Sequence, residues 1–168
     1  RAKWKKILKK ESPEAVIHTV AKVDVDGCEK NPREAFRLNR DLTRDLLQAT
    51  PRRTKFIFLS TDQVFDGTLP YAKETDPICP INVYGRSKAA AELLALEADS
   101  DALRVTAVRP HIVWGPGDTQ LVGRIVDRAK SGRLPLLDEG MALIDTTYVT
   151  NAADAIVAVD PGKTGTHG

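Results

Sequence analysis

The chain has 168 residues, 42% hydrophobic and 29% charged, with 25 Lys and Arg against 23 Asp and Glu for a net charge of +2. That apolar content excludes a disordered tail, 11 Gly and 10 Pro exclude a collagen-like fibre, and apolar runs of only a few residues give no membrane span. So small a net charge gives no reason to expect nucleic acid as a partner, and one soluble domain in a reducing, cytoplasmic setting is the expectation.

In chain order, Lys3, Lys5, Lys6, Lys9 and Lys10 surround Trp4, Ile7 and Leu8 at i, i+3, i+4, the pattern of an amphipathic helix with a solvated basic face. No charged-then-apolar leader follows Arg1, so no secretory signal is expected. The apolar run Ala15 to Ala21 predicts a strand, Pro32 to Ala49 a helix, and Phe56 to Leu59 a second strand. A loop rich in Pro and acid (Pro70, Tyr71, Glu74, Asp76, Pro77, Pro80) leads to a helix from Asn82 to Ala98 and a strand from Arg104 to Arg109.

Strands that are almost continuously apolar and separated by single helices predict an α/β fold with a doubly wound, open parallel sheet. Ligands in such sheets collect outside the carboxyl ends of the strands, which directs attention to Ala21 to Val25, Ser60 to Asp66, and Pro110 to Pro116. Beyond Gly117 the pattern changes to a helix from Thr119 to Ser131, short runs at Leu134 to Leu137 and Leu143 to Val149, and a helix from Asn151 to Val159. The expected division is therefore 1–118 and 119–168, the second part a small appended layer.

Tyr84 and Lys88 stand four residues apart, one above the other on a helix that begins near Asn82. A nearby cation favours the phenolate, so such a pair can exchange a proton with a carbonyl or alcohol oxygen near neutral pH. An ordinary surface pair has the same spacing. Ser60 and Thr61 follow directly on the second strand, where a hydroxyl can reach the same substrate oxygen or merely satisfy the backbone at a strand end. It is the two sets in consecutive β-α units that point to chemistry.

Cys28 and Cys79 lie far apart without a CxxC, and His18, His111 and His167 are scattered, so neither a disulfide scaffold nor a metal site is expected. Gly162, Gly165 and Gly168 spell G-x-x-G-x-x-G, but no helix follows in the sequence to lend its N-terminal N–H groups.

The stretch from Ser60 to Gly67, then Pro70-Tyr71 and Glu74, then Pro80 to Lys88 and Glu92, resembles the extended short-chain dehydrogenase/reductases of the NAD-dependent epimerase/dehydratase superfamily, in particular the dTDP-4-dehydrorhamnose reductase branch. Val16 to Ala21, Val23-Asp24, Cys28-Glu29, Asn31-Pro32 and Asn39 are similar to the same branch. Arg109 to Asp118 and Thr147 to Ala155 are more similar to the 3β-hydroxysteroid dehydrogenase and 2-alkyl-3-oxoalkanoate reductase branches.

The resemblance implies a partial Rossmann-like sheet with a small C-terminal substrate-binding portion, with 1–118 as the C-terminal half of a dinucleotide-binding domain. It implies NADP or NAD as cofactor and a small-molecule substrate, either a keto sugar nucleotide or a β-keto compound; a homodimer stays open. Thr61 would orient the carbonyl, Tyr84 would donate the proton, and Lys88 would lower the Tyr pKa and hold the nicotinamide ribose. Ala21, Ser60 and the backbone of Pro110, His111 and Ile112 would line the cofactor, and Val64 and Phe65 would contact substrate. The family's diphosphate-binding G-x-x-G-x-x-G turn is missing before Ala15, since the first glycine is Gly27. The 168 residues alone are therefore expected to bind dinucleotide poorly, and a non-catalytic binding or regulatory role remains an alternative.

Overall fold

The computed structural model describes residues 2–69, 71–118, 121–135, 137–141 and 144–159. The glycines at 162, 165 and 168, His167 and Leu143 lie outside the described residues. Two compact units divide between Arg109 and Pro110, ahead of the expected 118/119 boundary.

The first unit opens with helix α1 (Ala2–Glu11) and strand β1 (Ala15–His18). Then come the short helices α2 (Val25–Lys30) and α3 (Pro32–Phe36), a π-helical segment (Arg37–Asp41) and α4 (Leu42–Ala49). Strand β2 (Lys55–Leu59), a 3-10 turn (Asp62–Val64), helix α5 (Val83–Glu97) and strand β3 (Arg104–Val108) complete it. The expected strand through Ala21 ends at His18. The backbone of Lys22 turns aside to pair with the Asn39 carboxamide, its N–H donating to Oδ1 at 2.7 Å and its carbonyl accepting from Nδ2 at 3.1 Å. Helix α2 was not foreseen.

The strands are parallel in the order β1-β2-β3, with Ile17 opposite Ile57 and Phe58 opposite Ala107. Right-handed crossovers between strands in sequential order set both connecting helices on one face. Phe56 and Phe58 of β2, with Val105 and Ala107 of β3, accordingly pack against Leu46 of α4 and Ala91 and Ala95 of α5. Period-two alternation sends Ile17 to the opposite face, where it is 49% exposed. This is a Rossmann-like α/β arrangement.

The second unit pairs β4 (Val113–Trp114) with β5 (Thr147–Tyr148) in parallel. It also contains helices α6 (Val122–Lys130) and α7 (Val149–Ala158), and a 3-10 turn at Leu137–Gly140. The β4–β5 pairing is why 110–118 belongs with the later residues.

Candidate active site

Thr61 sits where β2 leaves the sheet. Its backbone is extended, its Oγ1 caps the following 3-10 turn by accepting from the Gln63 N–H at 3.3 Å, and its hydroxyl donates to Asp62 Oδ1 at 3.0 Å. Tyr84 enters from the first turn of α5, whose start is fixed twice. Asn82 Oδ1 accepts from the Gly85 N–H at 2.7 Å, as Asn N-caps do, and Glu29 of α2 accepts from the Val83 N–H at 2.5 Å.

The Tyr84 ring is buried with Cys28, Ala35 and Val83, and its phenol lies beside the Thr61 hydroxyl. One helical turn on, the buried Lys88 donates from Nζ to the Leu59 carbonyl at 2.6 Å and lies 4.3 Å from the centre of the Phe58 ring. A further turn on, the enclosed Glu92 carboxylate receives the Arg109 guanidinium in a two-pronged ion pair, with Nε 3.1 Å from both oxygens. Tyr84, Lys88 and Glu92 thus form one line along α5.

Burial pushes the Tyr84 pKa above its ordinary value, and the neighbouring Thr61 hydroxyl opposes that shift only in part. The resemblance implied a lowering by Lys88. In the structure the amine is committed to the Leu59 carbonyl and the Phe58 face, and the phenol stays protonated. Burial brings Lys88 itself down to about 8, with the Glu92 charge acting against the fall.

Ser60 is buried beside Thr61, and its Oγ meets no hydrogen-bond partner among the described residues. Ala21 lies in the half-buried loop after β1. Val64 is fully enclosed, and its carbonyl accepts from the Cys79 N–H at 2.9 Å, so of the two expected substrate contacts only Phe65 retains accessible surface. Phe65 carries the Arg109 guanidinium 5.0 Å from its ring centre. Pro110, His111 and Ile112 belong to the second unit. There His111 Nδ1 is 2.6 Å from Asp145 Oδ1, and Ile112, at φ 30°, accepts the Thr147 N–H.

Sequence reasoning missed the supports: Gln63, Asn82, Glu29 and Asn39 all stand in the stretches that carry the resemblance, but none was given a role in the site. An Asn just before a helical pattern is an N-cap signal that was present to be read. Asn39 is buried in the π-helical segment, where its Nδ2 donates to Ser87 Oγ at 2.8 Å, and Ser87 donates to the Tyr84 carbonyl. No three His, Cys, Asp or Glu residues among those described gather as a metal site would, and no described helix is long and apolar enough to cross a membrane.

A 2-alkyl-3-oxoalkanoate reductase of Stenotrophomonas maltophilia is 49% identical over 70 residues, which make up 42% of this chain and 21% of that protein. A dTDP-4-dehydrorhamnose reductase of Mycobacterium tuberculosis is 34% identical over 162 residues, covering 90% of this chain and 51% of that protein. Among solved structures, a dTDP-4-dehydrorhamnose reductase from Bacillus anthracis in complex with NADP superposes with a TM-score of 0.70 at 27% identity, over 77% of this chain and 46% of that one. The chain spans about half the length of such relatives, or less. Residues 1–165 match the NAD dependent epimerase/dehydratase family, with the parallel sheet and the Tyr84 helix inside the matched span, and the chain belongs to that family.

Proposed function

We propose that the protein carrying this chain is an NAD(P)H-dependent oxidoreductase that reduces a keto group on a nucleotide-linked sugar. The observation that carries this reading is the Thr61 hydroxyl beside the buried Tyr84 phenol at the carboxyl end of β2. The unit up to Arg109 is read as the C-terminal half of a dinucleotide-binding domain, and the residues after it as part of a substrate-binding portion.

A nicotinamide nucleotide, when bound, supplies the hydride that the carbonyl carbon receives. The chain's own groups fit such a partner. The buried Ser60 hydroxyl has a hydrogen bond to offer, and Lys88 Nζ gives one proton to Leu59 and keeps two for ribose hydroxyls. Thr61 has a single proton, with Asp62 and Tyr84 both around it, and turning it toward a carbonyl oxygen orients the substrate. Tyr84 then passes its phenolic proton to that oxygen as the C=O becomes C–OH. Its raised pKa keeps the proton in place until then, and the Thr61 hydroxyl beside it is the group that favours the phenolate left behind.

The nucleotide-sugar substrate is supported by the M. tuberculosis relative, which aligns over most of the chain. A second reading, a β-keto acid or sterol substrate, draws on the higher local identity to the 2-alkyl-3-oxoalkanoate reductase. Turnover of the intact protein on a dTDP-4-keto sugar and on a 2-alkyl-3-oxo acid chooses between them. In either case Tyr84→Phe is expected to lower kcat by about 10²- to 10⁴-fold; full turnover in that variant refutes the proton-donor role.

A further inference from the structure

The 3-10 turn that carries Thr61 toward Tyr84 has little rigidity of its own. Within it the Val64 N–H reaches the Thr61 carbonyl at 3.4 Å and the Phe65 N–H reaches Asp62 at 3.0 Å, while the Thr61 cap on the Gln63 N–H is long at 3.3 Å. Its far end is tied down by Val64, which is enclosed and bonded to Cys79. Its near end, where the reacting hydroxyl sits, meets α5 through Gln63.

Gln63 touches the helix at two points. Asn82 Nδ2 donates to Gln63 Oε1 at 2.9 Å, and the Gln63 carbonyl oxygen lies so close over Gly85 that any Cβ there would overlap it. The two points flank Tyr84 in sequence. The orientation of the Asn82 carboxamide is not free, because its Oδ1 is occupied by the Gly85 N–H; only its NH₂ faces Gln63, so position 63 must present an acceptor.

We propose that Gln63 is a positioning residue, whose side-chain acceptor, bonded to the Asn82 cap, holds the Thr61 hydroxyl in register with the Tyr84 phenol. The inference rests on the proton-transfer reading of that pair. Gln63 is half-buried, so replacing it leaves the core intact.

The test uses Gln63→Met, which keeps the length and loses the acceptor, and Gln63→Glu, which keeps the acceptor, in the intact protein. Gln63→Met is expected to lower kcat about tenfold, with both KM values within about twofold, because a small misplacement of a reacting group is felt in the chemical step. Gln63→Glu is expected to return kcat to within about threefold of the parent. By NMR, the Asn82 side-chain amide protons are expected to exchange faster in Gln63→Met than in the parent and to be slowed again in Gln63→Glu. The proposal is overturned if Gln63→Met turns over like the parent, if the loss appears in KM instead, if Gln63→Glu is no better than Gln63→Met, or if the Asn82 protons ignore both changes. Tyr84→Phe, measured alongside, separates the two ideas. An active Tyr84→Phe variant removes the proton-transfer reading, whereas an inactive one beside a fully active Gln63→Met variant removes only the role of Gln63.

Discussion

The imidazole of His18 lies against the rings of Phe56 and Phe58, with Nε2 2.9 Å from Thr43 Oγ1. Thr43 gives its one proton to the Asn39 carbonyl, so Nε2 must be the donor and the neutral ring carries its proton there. Burial, helped by the Lys88 charge, brings the His18 pKa down to about 4. An unfolded histidine titrates near 6.5, so between those two values only the unfolded chain takes up this proton. Stability is therefore complete above about pH 6.5, falls as the pH drops toward 4 and levels off below it, a change on the order of 3 kcal/mol. Urea unfolding at pH 7 and pH 4.5 is expected to show that fall, and His18→Asn to flatten it; an unchanged slope in the variant would contradict the assignment. At this scale the Tyr84–Lys88 spacing was legible, because one helical turn is a local property. The upward shift of Tyr84 was not, because the groups that bury it, Cys28 and Ala35, come from helices far away in sequence.

Helix α5 carries its chemistry along one line, and the Glu92–Arg109 pair closes the end of that line away from Tyr84. Both partners are buried, with side-chain exposures of 0% and 5%. Removing one leaves the other charged and enclosed, so Glu92→Ala or Arg109→Ala alone is expected to cost about 3–5 kcal/mol, whereas Glu92→Leu with Arg109→Met costs much less. Denaturant midpoints of the three variants check this, and single variants as stable as the parent would show that the pair is solvated. The expected helix from Pro32 to Ala49 is present, but Arg37 to Asp41 widen into a π-helical turn. Hydrophobic periodicity gave no hint of it, because the residue it turns inward is the polar Asn39, joining Lys22 to Ser87.

Across the whole chain, the alternation of apolar runs and helical stretches made the parallel sheet readable, since each strand is short and each crossover is helical. The division at Arg109 was not readable, because the two-residue strands Val113–Trp114 and Thr147–Tyr148 are too short to leave a pattern. No G-x-x-G-x-x-G turn precedes β1 in these 168 residues, so titrating them with NADH or NADPH is expected to give no saturable fluorescence change at micromolar concentrations. Tight binding would mean that the diphosphate is held in some other way. The chain has two cysteines, of which Cys28 is enclosed, with its thiol pKa raised by burial, and Cys79 is exposed beside a cavity of about 190 Å³ that Phe65 also lines. On these 168 residues a maleimide dye therefore attaches at Cys79, and its emission becomes a gauge of whether a ligand fills the space next to Phe65, with no substitution in the chain.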